Sequence, residues 1–512
     1  MKHAPLYVKR IALCAALFIT PPLAVAQEPD AAKQQKPQQA SIEGSWLGAL
    51  KVQATELKVA LHIQRGDDGA YKATFDSITQ GAKGIAVDSI QRDADQIIAK
   101  LPAIGASYEA NLVVDEGGAR KLDGTWKQGG RTLELDLEPA TAEAAAQAAP
   151  KRPQNPDPAT VPYRSEEVTF GHDPSGDLDA TFRVGTRDAG VTIAGTLTLP
   201  EGPGPFPAAV MISGSGPQDR DESLLGHKPF WVIADHLTRR GIAILRCDDR
   251  GVGKSTGDFG AATSQDFATD ARAALRYLAT RSEIDPGRLG LIGHSEGGLI
   301  APMVASGPDR DALQFAVLIA PPAVNIRDII VHQSRLMAAA EGASDDDLAL
   351  NEELTGKALT AVAKHADSDR RQKALQTIVE AFWPKLPDED RKQLGDDPKT
   401  LLRQLRSLNT PWMHWLLAYD PVPALKETRC HVLAMFGGKD LQVDPAQNRP
   451  PLEKALADCP KPATVITLAG HNHLFQHTET GKSSEYGELE ETFSVEALTV
   501  MANWLMKVTS DK

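Results

Sequence analysis

The sequence predicts an α/β fold, a mostly parallel sheet with helices on both faces, preceded by a small all-β barrel or sandwich. Three observations predict it. From about Ser165 onward, short apolar runs such as 191–199, 208–213 and 242–246 alternate with stretches of helical period. Strands alternating with helices make parallel sheets. Over 41–139 the apolar period is two instead, which is the strand period. The third observation is the apolar run 289–292, which ends in Gly293-His294-Ser295-Glu296-Gly297 and is followed by Gly298, Leu299, Ile300 and Ala301. A strand, a sharp turn carrying a serine, and a buried helix make a nucleophile elbow. The flanking glycines let strand and helix cross where a Cβ would clash.

With 512 residues the chain is too long for one ordinary domain. A net charge of −13 argues against nucleic acid or an anionic membrane as partner. Lys2, Lys9 and Arg10 form a basic start, 11–20 a short apolar core, and Ala24-Val25-Ala26 a cleavage site before Gln27. Residues 1–26 are therefore expected to be a secretory signal peptide, and the protein periplasmic or secreted. The apolar run is too short to span a bilayer, and Pro21-Pro22 interrupt it. Leu13 stands before Cys14, where lipidation asks for a small residue. No later stretch is long enough for a membrane helix. The Gln-, Ala-, Pro- and Lys-rich stretch 27–40 has the composition of a disordered segment.

The small β-domain, 41–139, shows alternation at Leu57, Val59, Leu61 and Ile63, at Tyr108, Ala110, Leu112 and Val114, and at Leu133, Leu135 and Leu137. Gly- and Asp-rich turns separate these runs, the pattern of a small antiparallel barrel or sandwich. The Ala- and Pro-rich stretch 140–162 reads as an interdomain linker. Residues 163–512 carry the α/β pattern. Its helices include 229–240 and one whose face is Phe267, Ala271, Ala274, Leu275 and Leu278. At about 325–428 lies a stretch rich in Ala, Leu, Lys, Asp and Glu with no strand signal. Insertions after these strands sit over their carboxyl ends, where α/β proteins bind ligands. This one is expected to be a helical lid.

A serine hydroxyl needs a base, and the base needs an orienting acid. The catalytic candidates are Ser295, Asp440 and His473. Asp440 closes Phe436-Gly437-Gly438-Lys439-Asp440, a strand followed by a Gly-rich turn, and Asp444 is its rival. His473 lies in Gly470-His471-Asn472-His473, just past the last apolar run, with His471 and His477 as competitors. His471-x-His473 also resembles a zinc half-site, a reading the elbow makes unnecessary. The oxyanion hole is expected from the backbone N–H groups of Glu296 and Ser215, with Gly216 as the neighbouring alternative to Ser215. Trp412, Trp415 and Tyr419 are the candidate substrate-binding residues; their helical spacing suits a core or lid underside equally well. Gly251-Val252-Gly253-Lys254-Ser255 imitates a phosphate-binding loop, but Asp248 occupies the position that such a loop gives to glycine. Asp219, Arg220, Asp221 and Glu222 read as a solvated loop or an internal ion-pair network. Cys430 and Cys459 each precede one of the last two core strands, so a disulfide and two free thiols are both open readings.

These motifs together resemble the α/β-hydrolase superfamily. Gly214-Ser215-Gly216-Pro217-Gln218-Asp219-Arg220-Asp221, Asp248-Asp249-Arg250-Gly251-Val252-Gly253-Lys254-Ser255 and Asn472-His473-Leu474-Phe475-Gln476 look more narrowly like a group of exported bacterial hydrolases. Those are described as esterases or as relatives of prolyl-oligopeptidase and serine-aminopeptidase domains. The resemblance covers roughly 165–510 strongly and 41–140 loosely. One departure is Cys247, where many relatives carry an aromatic residue. The resemblance implies a serine hydrolase without a cofactor. Its expected substrates are carboxylic esters with small to medium acyl groups, or, as an alternative, short peptides. A catalytically inert binding module is a third reading.

Overall fold

The computed structural model describes residues 40–510 apart from 53–54, 67, 80–81, 129–130, 142, 145–150 and 173–189. The signal peptide expected over 1–26 lies outside the described residues. Ten strands between Gly44 and Ala140 form one antiparallel sheet in the chain order 4-3-2-1-10-8-7-6-5, with the ninth strand on the eighth. The period of two explains its core. Val59, Leu61 and Ile63 turn inward from one strand, and Tyr108, Ala110 and Leu112 from another, while Val114 at a strand end is exposed. One apolar cluster gathers Trp46, Phe75, Tyr108 and Trp126. Buried Trp and Tyr need partners for their polar ends. Trp46 Nε1 donates to Ile42 O at 2.8 Å, and Tyr108 Oη to Leu135 O at 3.1 Å.

Composition marks 140–162 as linker, but three polar side chains tie its second half to the α/β domain. The Arg152 guanidinium donates to the carbonyls of Leu225, Gly487 and Leu489 at 2.7–2.8 Å. Gln154 bridges the backbone of Thr492 and Phe493, and Asn155 Nδ2 donates to Gly226 O.

The second sheet has eight strands: β1 (Arg164–His172), β2 (Val191–Leu199), β3 (Phe206–Ile212), β4 (Ala243–Cys247), β5 (Ile284–His294), β6 (Leu313–Ile319), β7 (His431–Gly437) and β8 (Ala463–Leu468). Their order is 1-2-4-3-5-6-7-8. β2 runs antiparallel to β1 and β4, and the rest are parallel. β1 gives no apolar run because Ser165, Glu166 and Glu167 open it. The helices α1 (Pro229–Thr238), α2 (Ser264–Ala279) and α3 (Glu296–Ala305) follow β3, β4 and β5.

Seven α-helices then occupy the segment expected as a lid. They are α4 (Ile326–Ala340), α5 (Asp345–Lys364), α6 (Ser368–Phe382), α7 (Asp388–Gln393), α8 (Pro398–Arg406), α9 (Pro411–Ala418) and α10 (Val422–Glu427). They share a core of their own, with Leu354, Leu359, Phe382, Leu401 and Leu405. After β7 comes α11 (Pro445–Leu456), and α12 (Val495–Ser510) ends the described chain. One sheet face packs on α1 and α12, the other on α2, α3 and α11.

Cys247, Cys430 and Cys459 are free thiols. β7 and β8 are neighbours, but Val432 pairs with Ala463, so this register extended backwards sets Lys461 rather than Cys459 opposite Cys430. Cys459 Sγ instead donates to Leu425 O at 3.3 Å.

Candidate active site

The sharp turn between β5 and α3 puts Ser295 at φ 54°, ψ −114°. A non-glycine residue held there is strained, and the packing around it explains why it persists. A Cβ on Gly293 would lie 2.0 Å from Gly297 O, and one on Gly297 would lie 2.1 Å from Ile212 O. Only glycine fits either position, so helix, strand and neighbouring strand close on the serine from three sides.

Asp440 and His473 stand on the loops that follow β7 and β8. His473 Nδ1 and Asp440 Oδ2 are hydrogen-bonded at 2.7 Å, with both side chains buried. Asp440 Oδ1 accepts the backbone N–H groups of Gln442 and Val443 at 2.7 and 2.9 Å. Its rival Asp444 is committed elsewhere. It caps α11 through Ala446 N and pairs with His332 Nε2 at 2.8 Å.

His294, the residue before the serine, braces this arrangement. Its Nε2 meets His473 O at 3.1 Å, and its Nδ1 meets Glu222 Oε1 at 2.9 Å. Burial opposes charge on this ring, yet Glu222 beside it holds His294 above the ordinary imidazole range. Glu222 Oε1 also accepts Gly214 N at 2.7 Å. Glu222 thus joins the loop after β3 to the elbow, and His294 carries the connection on to the backbone of His473. No hydrogen bond links Ser295 Oγ to His473 among the described residues. Such bonds are often long before substrate binds.

The amide N–H groups of Ser215 and Glu296 have no protein partner among the described residues. Two free donors beside a serine can hold a developing oxyanion. The Glu296 side chain is buried. Its Oε1 accepts from Ser264 Oγ at 2.6 Å and from Trp412 Nε1 at 2.7 Å. Burial pushes this carboxyl above the usual range against those bonds. Trp412 thereby meets the residue next to Ser295. Trp415 stacks on Tyr419 with ring centroids 4.9 Å apart, and all three rings pack half-buried against the α/β core. The Glu222–His294 brace and the Trp412–Glu296 contact join residues far apart in the chain, and no sequence pattern signals either.

His471 does not pair with His473 as a zinc half-site. It meets His477 and Glu496, whose potential ligand atoms lie within 4.8 Å of one another. His471 Nε2 bonds to Ser494 Oγ at 2.6 Å, and His477 Nδ1 to Glu491. The Gly251–Ser255 stretch wraps Asp248, which accepts Lys254 N and binds Arg220 at both oxygens. Asp219 accepts the amides of Asp221 and Ser223, and Asp221 pairs with Arg246 and Lys228. That run is an internal network.

A sheet of order 1-2-4-3-5-6-7-8, with a serine elbow after β5, an acid after β7 and a histidine after β8, is the α/β-hydrolase fold. Within it, residues 230–384 match the family described as "Serine aminopeptidase, S33", a span that includes the elbow and stops before Asp440. The chain is 28% identical over 251 residues to esterase EstD of Thermotoga maritima, covering 49% of this chain and 50% of that one. It is 28% identical over 158 residues to the uncharacterized protein YfhR of Escherichia coli K12, covering 30% of this chain and 51% of that one. The chain thus spans about half the length of these curated relatives. Among solved structures it is similar to the Pyrococcus furiosus esterase Pf2001, at 14% identity and a TM-score of 0.40 over 70% of this chain and 96% of that one. No helix among the described residues is long and apolar enough to cross a membrane.

Proposed function

We propose that this chain is an exported serine hydrolase that cleaves carboxylic esters with small to medium acyl groups. The observation that carries the reading is the buried Asp440–His473 hydrogen bond beside an elbow serine with two free amides. Ser295 Oγ attacks the acyl carbonyl carbon while His473 Nε2 takes its proton. The Ser215 and Glu296 amides hold the oxyanion. His473 then gives the proton to the leaving alcohol, and water repeats the sequence on the acyl-enzyme. No step uses a cofactor. The basic and apolar N-terminus supports export.

The acids near the nucleophile favour esters over peptides. An aminopeptidase needs a carboxylate free to hold the substrate ammonium. The candidates are Asp219, Asp221, Glu222 and Glu296, and each has internal partners. An amide must also have its nitrogen protonated as the C–N bond breaks, which an ester does not require. The expected result is hydrolysis of p-nitrophenyl butyrate with kcat/KM at least ~10²-fold above that on Ala- or Pro-p-nitroanilide. Comparable values would establish the peptidase alternative. Absence of labelling by a fluorophosphonate probe would leave the inert-module reading.

Trp415, stacked on Tyr419 in the lid segment, is proposed to bound the acyl pocket. Trp415→Ala should shift the preferred chain length across p-nitrophenyl acetate to octanoate more than it changes turnover on acetate. An unchanged profile removes it from the pocket.

A further inference from the structure

The carboxyl of Glu296 has no part in the steps above, yet it is buried at their centre. Two donors, a hydroxyl and an indole, converge on it from two elements. Ser264 comes from the first turn of α2 and Trp412 from the first turn of α9 in the lid segment. Ser264 is fully buried and Glu296 nearly so. The residue that receives both donors is also one of the two whose amides are proposed to hold the oxyanion. Burying a lone carboxyl is costly and a well-packed apolar side chain would serve packing as well, so its donors point to a positioning task.

We propose that Glu296 is a positioning residue that couples the seating of the lid helix α9, through Trp412 Nε1, to the placement of its own backbone amide in the oxyanion hole. The contact from the lid ends on the side chain of the residue whose amide follows the nucleophile. A displaced α9 withdraws the indole donor, leaves the buried carboxyl short of a partner and frees the first turn of α3 to move. Oxyanion donors act within a few tenths of an ångström, so a small shift of this amide lowers turnover without touching the nucleophile. Burial holds the carboxyl toward its neutral form, and glutamine is then its closest mimic, with the same carbonyl acceptor for Ser264 and Trp412.

The inference rests on Ser295 being the nucleophile, and the experiment separates the two. The full chain is titrated to completion with a fluorophosphonate, and kcat per titrated site and KM are measured on p-nitrophenyl butyrate. Wild-type protein that is neither labelled nor active overturns the hydrolase reading and the coupling with it. With active wild type, Trp412→Phe keeps the ring and loses only the N–H. It should lower kcat per site by about 5- to 30-fold, the worth of one hydrogen bond to a buried acceptor, with KM within about threefold. Glu296→Ala should lower it by ~10²–10³, and Glu296→Gln should recover most of that loss. A purely structural role would reduce the titratable fraction or the melting temperature and leave kcat per site alone. Should Glu296→Ala fail to fold, Trp412→Phe decides. Wild-type kcat per site in Trp412→Phe, or a Glu296→Gln as impaired as Glu296→Ala, overturns the coupling while leaving Ser295 in place.

Discussion

Ser295→Ala and His473→Ala are each expected to cut kcat on p-nitrophenyl butyrate by ~10⁴–10⁶ with the fold intact. The serine hydroxyl supplies only its Oγ, and its strained backbone is set by Gly293 and Gly297 rather than by its side chain. Asp440→Asn tests the same reading more sharply. Gln442 and Val443 donate their amides to Asp440 Oδ1. An asparagine would place its carbonyl oxygen there and turn its NH₂ toward His473 Nδ1. The ring would then have to accept at Nδ1 and carry its proton on Nε2, the wrong tautomer for taking a proton from Ser295. A loss of ~10⁴ follows by the logic of the serine triad. Asp444→Asn should be mild, since asparagine also caps helices well. A crippled Asp444→Asn beside a mild Asp440→Asn would overturn the choice of acid.

Acidification from pH 8 to pH 5 should cost on the order of 2 kcal/mol of stability through His227 alone. The ring is buried and pushed down to about 4, by burial first and by the Arg152 guanidinium second, against the pull of Tyr486 O. Thr492 Oγ1 and Gln476 Nε2 complete its surroundings. A folded value below the ordinary 6.5 means that the unfolded chain binds the proton first. Stability is therefore full above about 6.5 and is lost as pH falls toward 4. Half-buried His236, also pushed down to about 4 by burial, adds in the same direction. His294, held above its ordinary value, acts in the opposite direction, so total stability is a poor readout. His227→Gln isolates the effect. Glutamine can donate to Tyr486 O and accept from Thr492 without titrating. The stability difference between wild type and His227→Gln, by urea unfolding at pH 8 and pH 5, should change by about that amount in favour of the variant. A constant difference would mean that His227 does not titrate in this window.

Much of this protein is written in short stretches of its sequence. The period of two at Val59–Ile63 and Tyr108–Leu112 defines inward faces because successive strand side chains alternate. The order of the site is also local. Gly293 to Gly297 describe a turn that only glycine flanks allow, and Gly437-Gly438-Lys439-Asp440 lies at a strand end. Asp440 and Asp444 could not be separated by pattern with the same force, because both follow the same strand within a few residues. The hydrogen bond to His473 and the cap on α11 distinguish them. Trp412 shows the other limit. Its helical spacing with Trp415 and Tyr419 was equally good for core, lid or pocket, and the indole N–H on Glu296 is a contact across 116 positions. Arg152 lies in a stretch whose composition reads as linker, yet it gathers three loop carbonyls. The sequence by itself determined the apolar strands of the second sheet, the elbow and the order of serine, acid and histidine, because these depend on side-chain period and on backbone conformations allowed to neighbouring residues. Only the tertiary structure decided which acid meets the histidine, what occupies Glu222 and Glu296, and where Arg152 and Trp412 attach. Those are pairings of polar groups brought together by packing of distant segments, and a buried donor or acceptor takes the partner the fold delivers, not one its neighbours in the chain encode.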